Sequence, residues 1–376
     1  MRITCISAAQ VPSDTANSIQ VMKVCQAFTQ LGHEVILLVP GQQPKGLQPA
    51  NLMQHYGLHS LFNIEWLPSR SRRFFPWKAV RRARRVDTDL VYAWPVQSAA
   101  LALLNGLPAM LEMHDLPSGF FGPLWFRLFL TVRGKKRLLP ITNALRAALE
   151  RKYGHLPDQQ VSVAPDGVDL ERYVSLPDRV TARENLKLPA TPTVLCTGHL
   201  YEGRGTDLFL TLAKKFPQAN FVWVGGRPAD VEKWKGRAAT QALNNVIFTG
   251  FVPNESIPMY QSAADVLLMP YQLEVATSSG GNTASIASPM KMFEYMAAGR
   301  AILTSDLPVL HEVLDESMAV FCPADDQGAW QLALTGLLAD QPRAQALGQC
   351  SRAHAEKYSW VERARDSLLG FDIRTQ

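Results

Sequence analysis

Short apolar runs alternate with helix-period segments along nearly the whole chain. RITCISA is a short apolar strand. From Asn17 to Leu31, the residues Ile19, Met22, Cys25, Phe28 and Leu31 recur at helical spacing. Gly32 then supplies a stop, and VILLVP follows as a strand buried on both faces. DLVYAW, QSAALALLN, AMLEMH, RLLPI and ITNALRAALERKYG continue the alternation, which predicts a parallel sheet covered by helices on both sides. The stretch RYVSLPDRVTARENLKLPATPT, near residues 172–192, has three prolines and no long apolar face, and reads as a linker. Beyond it the pattern restarts with TVLCTGHL, DLFLTLAKKF, NFVWVGG, a polar helix from Asp230, NVIFTGF, ESIPMYQSA and DVLLMPY. A loop of small residues, EVATSSGGNTASIAS, comes next. PMKMFEYMAAG, AILTSD, VLHEVL, MAVFCP and a long helical C-terminal region complete the chain. The expected fold class is therefore α/β, with two doubly wound domains. Their ligand cleft is expected at the carboxyl ends of the strands.

Composition agrees with that picture and removes some alternatives. A length of 376 residues suggests two or three domains, and 47% apolar with 19% charged residues is globular composition. The net charge of +5 is uneven: residues 1–175 hold 20 Lys and Arg against 12 Asp and Glu, and the remainder 18 against 21. That leaves room for a basic patch in the first half but argues against a nucleic-acid coat. Cys5, Cys25, Cys196, Cys322 and Cys350 are odd in number, widely spaced and without a CxxC pair, which fits a reducing compartment. The opening MRITCISAAQVPSDT is too short in its apolar run for a secretory signal. Pro95 and Pro108 divide the longest weakly polar stretch into strand, helix and strand. A cytoplasmic protein without a membrane span is expected.

The first strand-to-helix turn, SAAQVPSDTANS, has no GxGxxG, so a dinucleotide cofactor loses its main support; GxxxxGK[ST] and GxSxG are absent as well. The informative segment is SPMKMFEYMAAGRAILTSD. Ser288 reads as an N-cap and Pro289 as a first helical residue. The preceding loop, with Gly280 and Gly281, offers backbone amides to an anion at a helix N-terminus. Lys291 and Glu294 lie three apart on one side of that helix. Their spacing suits a phosphate contact and a grip on a ribose diol, or equally an ordinary surface ion pair.

The segment 70–85, RSRRFFPWKAVRRARR, holds eight Arg and Lys, no acid, and Phe74, Phe75 and Trp77. FFGPLWFRLFLTVRGKKRLL interleaves Phe120, Phe121, Trp125 and Phe129 with further cations. An anionic membrane surface suits such stretches. For the first, a solvated helix is the alternative; for the second, a helix buried on the sheet.

SPMKMFEYMAAG followed by AILTSD resembles the donor-site helix of the GT-B glycosyltransferases of retaining family 4. GHLYEGRGTD resembles that family's glycine-rich diphosphate loop, and NVIFTGFVPNESIPMYQSAADVLLMP follows in the family's order. EMHDLP, VAPDGVDLERY and KYSW also match. The resemblance implies two Rossmann-like domains facing across a cleft: an acceptor-side domain at residues 1–172 and a donor domain at 190–358. A final helix, 359–376, is implied to return to the first domain. It further implies transfer of a sugar from a nucleotide diphosphate to an acceptor hydroxyl, with retention, without metal or cofactor, in cell-surface polysaccharide or glycolipid synthesis. A sugar-nucleotide epimerase of the same fold and a non-catalytic sugar-binding protein are the alternatives.

By residue, Glu294 matches the second glutamate of the family's E-x7-E pattern and is implied to hold the donor ribose, whereas the first falls on Ile286. Arg204 stands at the usual Lys position and His199 at the usual Arg position. Candidate catalytic residues are His114, beside the transferred sugar, and Arg204, on the diphosphate. Donor contacts are expected from Arg204, Lys291, Glu294, Ser288, His199, Phe251 and Val252. Asn17 and Ser18 are expected at an acceptor or phosphate loop, with plain N-capping as the other reading. Glu112 points the same way as His114 along its strand and is a further candidate carboxylate; Asp115 is a candidate to orient the imidazole. A UDP-sugar is preferred to a GDP-sugar as the expected donor. A lipid-linked or glycan acceptor and an anionic membrane surface are the expected partners, with no nucleic acid.

Overall fold

The computed structural model describes residues 1–68, 72–274 and 284–371. The Gly280–Gly281 loop and Arg70 of the basic segment lie outside these residues. The chain divides into two compact units, one of residues 1–166 with 360–376 and the other of residues 167–359.

The first unit holds a six-stranded sheet of β1 (Arg2–Ile6), β2 (Glu34–Pro40), β3 (Asn63–Leu67), β4 (Leu90–Ala93), β5 (Ala109–Met113) and β6 (Lys136–Pro140). The order is β3-β2-β1-β4-β5-β6, and every pair is parallel. Strands covered on both faces must be apolar throughout, and β4 and β5 are buried at every position. β3 carries no continuous apolar run and is an edge strand. Its Glu65 is gripped by both Arg82 donors, Nε and Nη2, at 2.7 Å. Helix Ala16–Gln30 is capped by the Thr15 hydroxyl, which accepts from Ser18 N, so the cap precedes Asn17 and Ser18. The closing helix, Trp360–Leu368, packs against helix Ala16–Gln30 within this unit.

The second unit repeats the plan with β7 (Thr193–Thr197), β8 (Asn220–Val224), β9 (Val246–Gly250), β10 (Val266–Met269), β11 (Ala301–Ser305) and β12 (Ala319–Cys322). Its order is β12-β11-β10-β7-β8-β9, again parallel throughout. Phe209 anchors the core, its ring 5.4 Å from Phe221, 5.2 Å from Trp223 and 6.2 Å from Phe248. Burying each such side chain is worth about 1.5–3 kcal/mol. The segment read as a linker contains helix Arg179–Asn185, capped by Asp178. It is anchored rather than free: Arg179 and Arg183 both pair with Asp265 at the foot of β10. Two charged side chains do there what an apolar face does elsewhere.

The basic segment also differs from its expectation. It forms helix Phe75–Arg85, in which Phe75 is core while Phe74 and Trp77 are 63% and 57% exposed. Arg82 is neutralised by Glu65, from a strand the basic run itself does not include. Helix Gly122–Thr131 is split in character: Phe126 and Phe129 are buried, while Phe120 and Phe121 just before it are exposed. No helix among the described residues is long and apolar enough to cross a membrane.

Candidate functional site

In each sheet the chain reverses its direction of winding at one place. From β7 it proceeds to β8 on one side, and from β10 to β11 on the other, so the crevice above β7 and β10 is a topological switch point. The loop after β7 runs through Gly198, Gly203 and Gly205, all at positive φ. Gly205 is required by contact as well as by φ, because a Cβ there would lie 1.9 Å from the Pro270 carbonyl oxygen. Gln272 N donates to Gly203 O at 2.9 Å, tying the loop after β10 to the glycine loop.

Arg204 and Lys291 meet in this crevice around one ring. Arg204 Nη1 donates to the Tyr271 hydroxyl at 2.8 Å, and its guanidinium carbon is 5.1 Å from the ring centroid. The Lys291 ammonium is 4.9 Å from the same centroid and donates to Cys196 Sγ at 3.8 Å. Arg204 Nε is buried without a hydrogen-bond partner among the described residues. Burial pushes the Cys196 thiol up, with Lys291 pulling the other way, so an uncharged thiol faces the ammonium. His199 is stacked on Tyr201 at 4.9 Å, and the Arg227 guanidinium lies 5.5 Å from the Tyr201 ring.

Helix Met290–Ala298 begins one residue later than expected. Pro289 is its N-cap residue and makes no side-chain cap, and Ser288 is buried just before it. The pyrrolidine ring carries no oxygen, so the N-cap residue itself offers no side-chain acceptor to the first-turn amides. Glu294, half-buried, accepts from Gln261 Nε2 at 3.4 Å, and Gln261 Oε1 accepts from Tyr173 at 2.7 Å. Ile286, where the family pattern has its first glutamate, is buried. Phe251 is 48% exposed after β9, with Val252 half-buried beside it.

In the first unit the equivalent reversal lies between β1 and β4. His114 follows β5 and keeps about a third of its side chain exposed. It donates from Nε2 to Glu112 Oε1 at 2.6 Å. Glu112 is fully buried and also receives Arg363 Nη2 at 2.8 Å, Trp94 Nε1 at 3.1 Å, and the Tyr92 hydroxyl and Gln20 amide. Burial alone would raise the Glu112 carboxyl, but Arg363 and His114 outweigh it and hold it well below the usual range. Burial likewise opposes the charged imidazole, yet the Glu112 hydrogen bond and the Asp166 charge lift His114 above its ordinary value. Asp166, buried nearby, is pushed up to about 6 by burial. Glu112 therefore orients the imidazole; Asp115 instead accepts from Leu116 N at 2.7 Å. Ser18 is buried, its hydroxyl shared with Tyr56 at 2.6 Å and Gln10 O at 3.0 Å, while Asn17 is exposed. Tyr271, Gln261, Arg363 and Trp94 had no signal in the sequence beyond their residue type.

The model for glycosyl transferases group 1 matches residues 191–340, and that for glycosyltransferase family 4 matches residues 18–172. The chain belongs to glycosyltransferase family 4. This glycosyltransferase is 27% identical over 310 residues to the GDP-mannose-dependent alpha-(1-6)-phosphatidylinositol monomannoside mannosyltransferase of Mycolicibacterium smegmatis, covering 78% of this chain and 79% of that one. It is 30% identical to the 2-deoxystreptamine N-acetyl-D-glucosaminyltransferase of Streptomyces fradiae, over 51% of each chain. The matched region thus spans about half the length of that second relative. Among solved structures, a Rickettsia africae glycosyltransferase superimposes with a TM-score of 0.77 at 14% identity, covering 98% of this chain and 97% of that one. Anabaena HepE in complex with UDP-glucose superimposes with a TM-score of 0.74 at 15% identity, over 98% of both. The GT-B fold of two Rossmann-like units is thereby shown, and the glycosyltransferase class with it.

Proposed function

We propose that this glycosyltransferase moves a sugar from a nucleotide diphosphate to an acceptor hydroxyl, with retention of configuration and without a metal, in glycolipid or surface-polysaccharide synthesis. The observation that carries the reading is the pair of cations, Arg204 and Lys291, around Tyr271 at the switch point of the second unit. Leaving diphosphate gathers negative charge as the sugar departs, and preorganised cations stabilise that charge without a metal ion. The second unit, over residues 190–358, serves as the donor domain. There Glu294 holds the ribose, Ser288 and His199 flank the phosphates, and the base lies near Phe251 and Val252. The acceptor-side domain, proposed over residues 1–172 and so extending a few residues past the compact first unit, takes the acceptor beside His114, with Asn17 and Ser18 at its first loop. A UDP-sugar is favoured because HepE, of similar fold, is known with UDP-glucose. The mannosyltransferase relative uses GDP-mannose, so both bases belong in the test.

Screening UDP- and GDP-sugars for thermal stabilisation, then for transfer or slow hydrolysis in EDTA, tests the reading. A bound donor raises the melting temperature by mass action. Glu294→Ala should weaken the best donor by at least about tenfold, the lower end for one hydrogen bond to a charged group. Activity that vanishes in EDTA and returns with Mg²⁺ would refute the metal-free chemistry.

The acceptor is proposed to be lipid-linked or a glycan, met at the cytoplasmic face of an anionic membrane through residues 70–85. Exposed Phe74 and Trp77 beside Arg81 and Arg85 support this docking. Each near-surface cation adds about 1 kcal/mol of attraction to an anionic leaflet. In sedimentation with phosphatidylserine vesicles, binding should fall in high salt, and further with Phe74→Ser and Trp77→Ser. A protein that ignores these vesicles at low salt would end the docking proposal.

A further inference from the structure

Two cations held close together repel, and among the described residues no carboxylate pairs with Arg204 or Lys291. What both of them approach is the ring of Tyr271, 4% exposed, immediately after β10 and Pro270. Its backbone is pinned on two sides: Tyr271 N donates to Met269 O at 3.0 Å, and Ser305 Oγ donates to Tyr271 O at 2.5 Å. The main chain is thus held at the end of the sheet, and burial leaves the ring little room to move. Its hydroxyl oxygen takes an Arg204 hydrogen, while the negative face of the ring attracts both cations. The glycine loop closes the other side: a Cβ on Gly198 would lie 3.7 Å from the Lys291 ammonium, and Gln272, next to Tyr271, bonds to Gly203 O.

We propose that Tyr271 is a positioning residue that holds Arg204 and Lys291 together as one two-point anion clamp, and so makes the donor crevice select nucleoside diphosphates over monophosphates. The inference rests on the donor reading above and adds the residue that sets its phosphate selectivity. A ring fixed by the sheet presents two cations at fixed places before any ligand arrives. A diphosphate can engage both; a monophosphate engages one. Arg204 Nε, buried and without a partner among the described residues, is a donor left over for such an anion.

Calorimetric titration of the full chain, Tyr271→Phe and Tyr271→Leu with UDP, UMP, GDP, GMP and the free nucleosides tests this. Tyr271→Phe keeps the ring face and loses the hydroxyl acceptor. It should weaken the preferred diphosphate about tenfold and the monophosphate much less. Tyr271→Leu removes both supports and should nearly abolish the preference for diphosphate. Thermal melting identifies any variant that fails to fold, and Tyr271→Phe carries the test if the leucine variant does. Equal diphosphate affinity in wild type and variants overturns the inference while leaving the donor reading intact. Parallel losses for nucleoside, monophosphate and diphosphate also overturn it, because they mean a purely structural residue. A wild type that binds none of the nucleotides overturns the donor reading and the clamp together.

Discussion

In the first unit, the buried carboxylate of Glu112 is met by Arg363, His114, Tyr92, Trp94 and Gln20. In the second, Arg204 and Lys291 share the ring of Tyr271 and no carboxylate among the described residues. One cluster cancels its charge internally and the other stores it. Internal cancellation makes a rigid support whose members depend on one another. A stored positive charge contributes little to folding and is available to an anionic ligand. Loss of a residue should therefore register as stability in the first unit and as turnover in the second.

Arg363→Met is the strongest test of that contrast. It removes the cation and leaves Glu112 buried and ionised. Breaking a buried pair in this way costs about 3–5 kcal/mol. The melting temperature of the first unit should fall sharply, and Glu112→Gln added to Arg363→Met should recover part of the loss. A double variant no better than the single one would mean that the cluster is held by packing rather than by charge. Arg363 also donates to the carbonyls of Pro165, at 2.6 Å, and Ala164, at 3.1 Å, so some of the cost belongs to those bonds.

Arg204→Ala probes the other cluster and should leave folding almost untouched, because it relieves one cation of another's repulsion. Its effect belongs in turnover: removing one donor to a developing anion typically lowers kcat by about a hundredfold. With the best donor from the screen, kcat should fall at saturation rather than KM alone rising. An unchanged kcat with a large loss of stability would reverse the comparison.

How much of this was readable from the chain follows the same division. Strands such as VILLVP and DVLLMPY announce themselves because a strand covered on both faces must be apolar throughout. NIEWL gave no such signal: β3 is an edge strand, and its Glu65 is neutralised by an arginine seventeen residues on. Helix Met290–Ala298 was legible from its own residue pattern, and the glycine loop through its resemblance to the family's diphosphate loop. Glu112 and His114 were legible as neighbours two apart on one strand. Arg363 was not, since its pairing with Glu112 depends on where the closing helix packs. The core position of Phe75, read as a membrane anchor, was hidden for a similar reason: the basic run around it describes the exposed side of a helix whose inner side is apolar. Tyr271 was invisible because its importance lies in what gathers around it.

The smallest effect concerns the proton on His114. Burial disfavours the imidazolium, but the Glu112 carboxylate more than compensates, so the folded value lies above the unfolded one. A raised histidine adds stability that is complete below its unfolded pKa and disappears as pH rises through the folded value. Glu112 is shifted the other way, so its contribution is complete above the ordinary carboxylate value and is lost as pH falls. The pair should therefore stabilise the first unit most between those two ordinary values, near pH 5–6. His114→Gln keeps a donor for Glu112 and removes the titration. Denaturant unfolding of wild type and His114→Gln should differ most in that window, and the gap should close as pH rises through the folded His114 value. A gap that stays constant with pH would mean that His114 reaches Glu112 as a neutral ring, and the first cluster would then owe its internal cancellation to Arg363 alone.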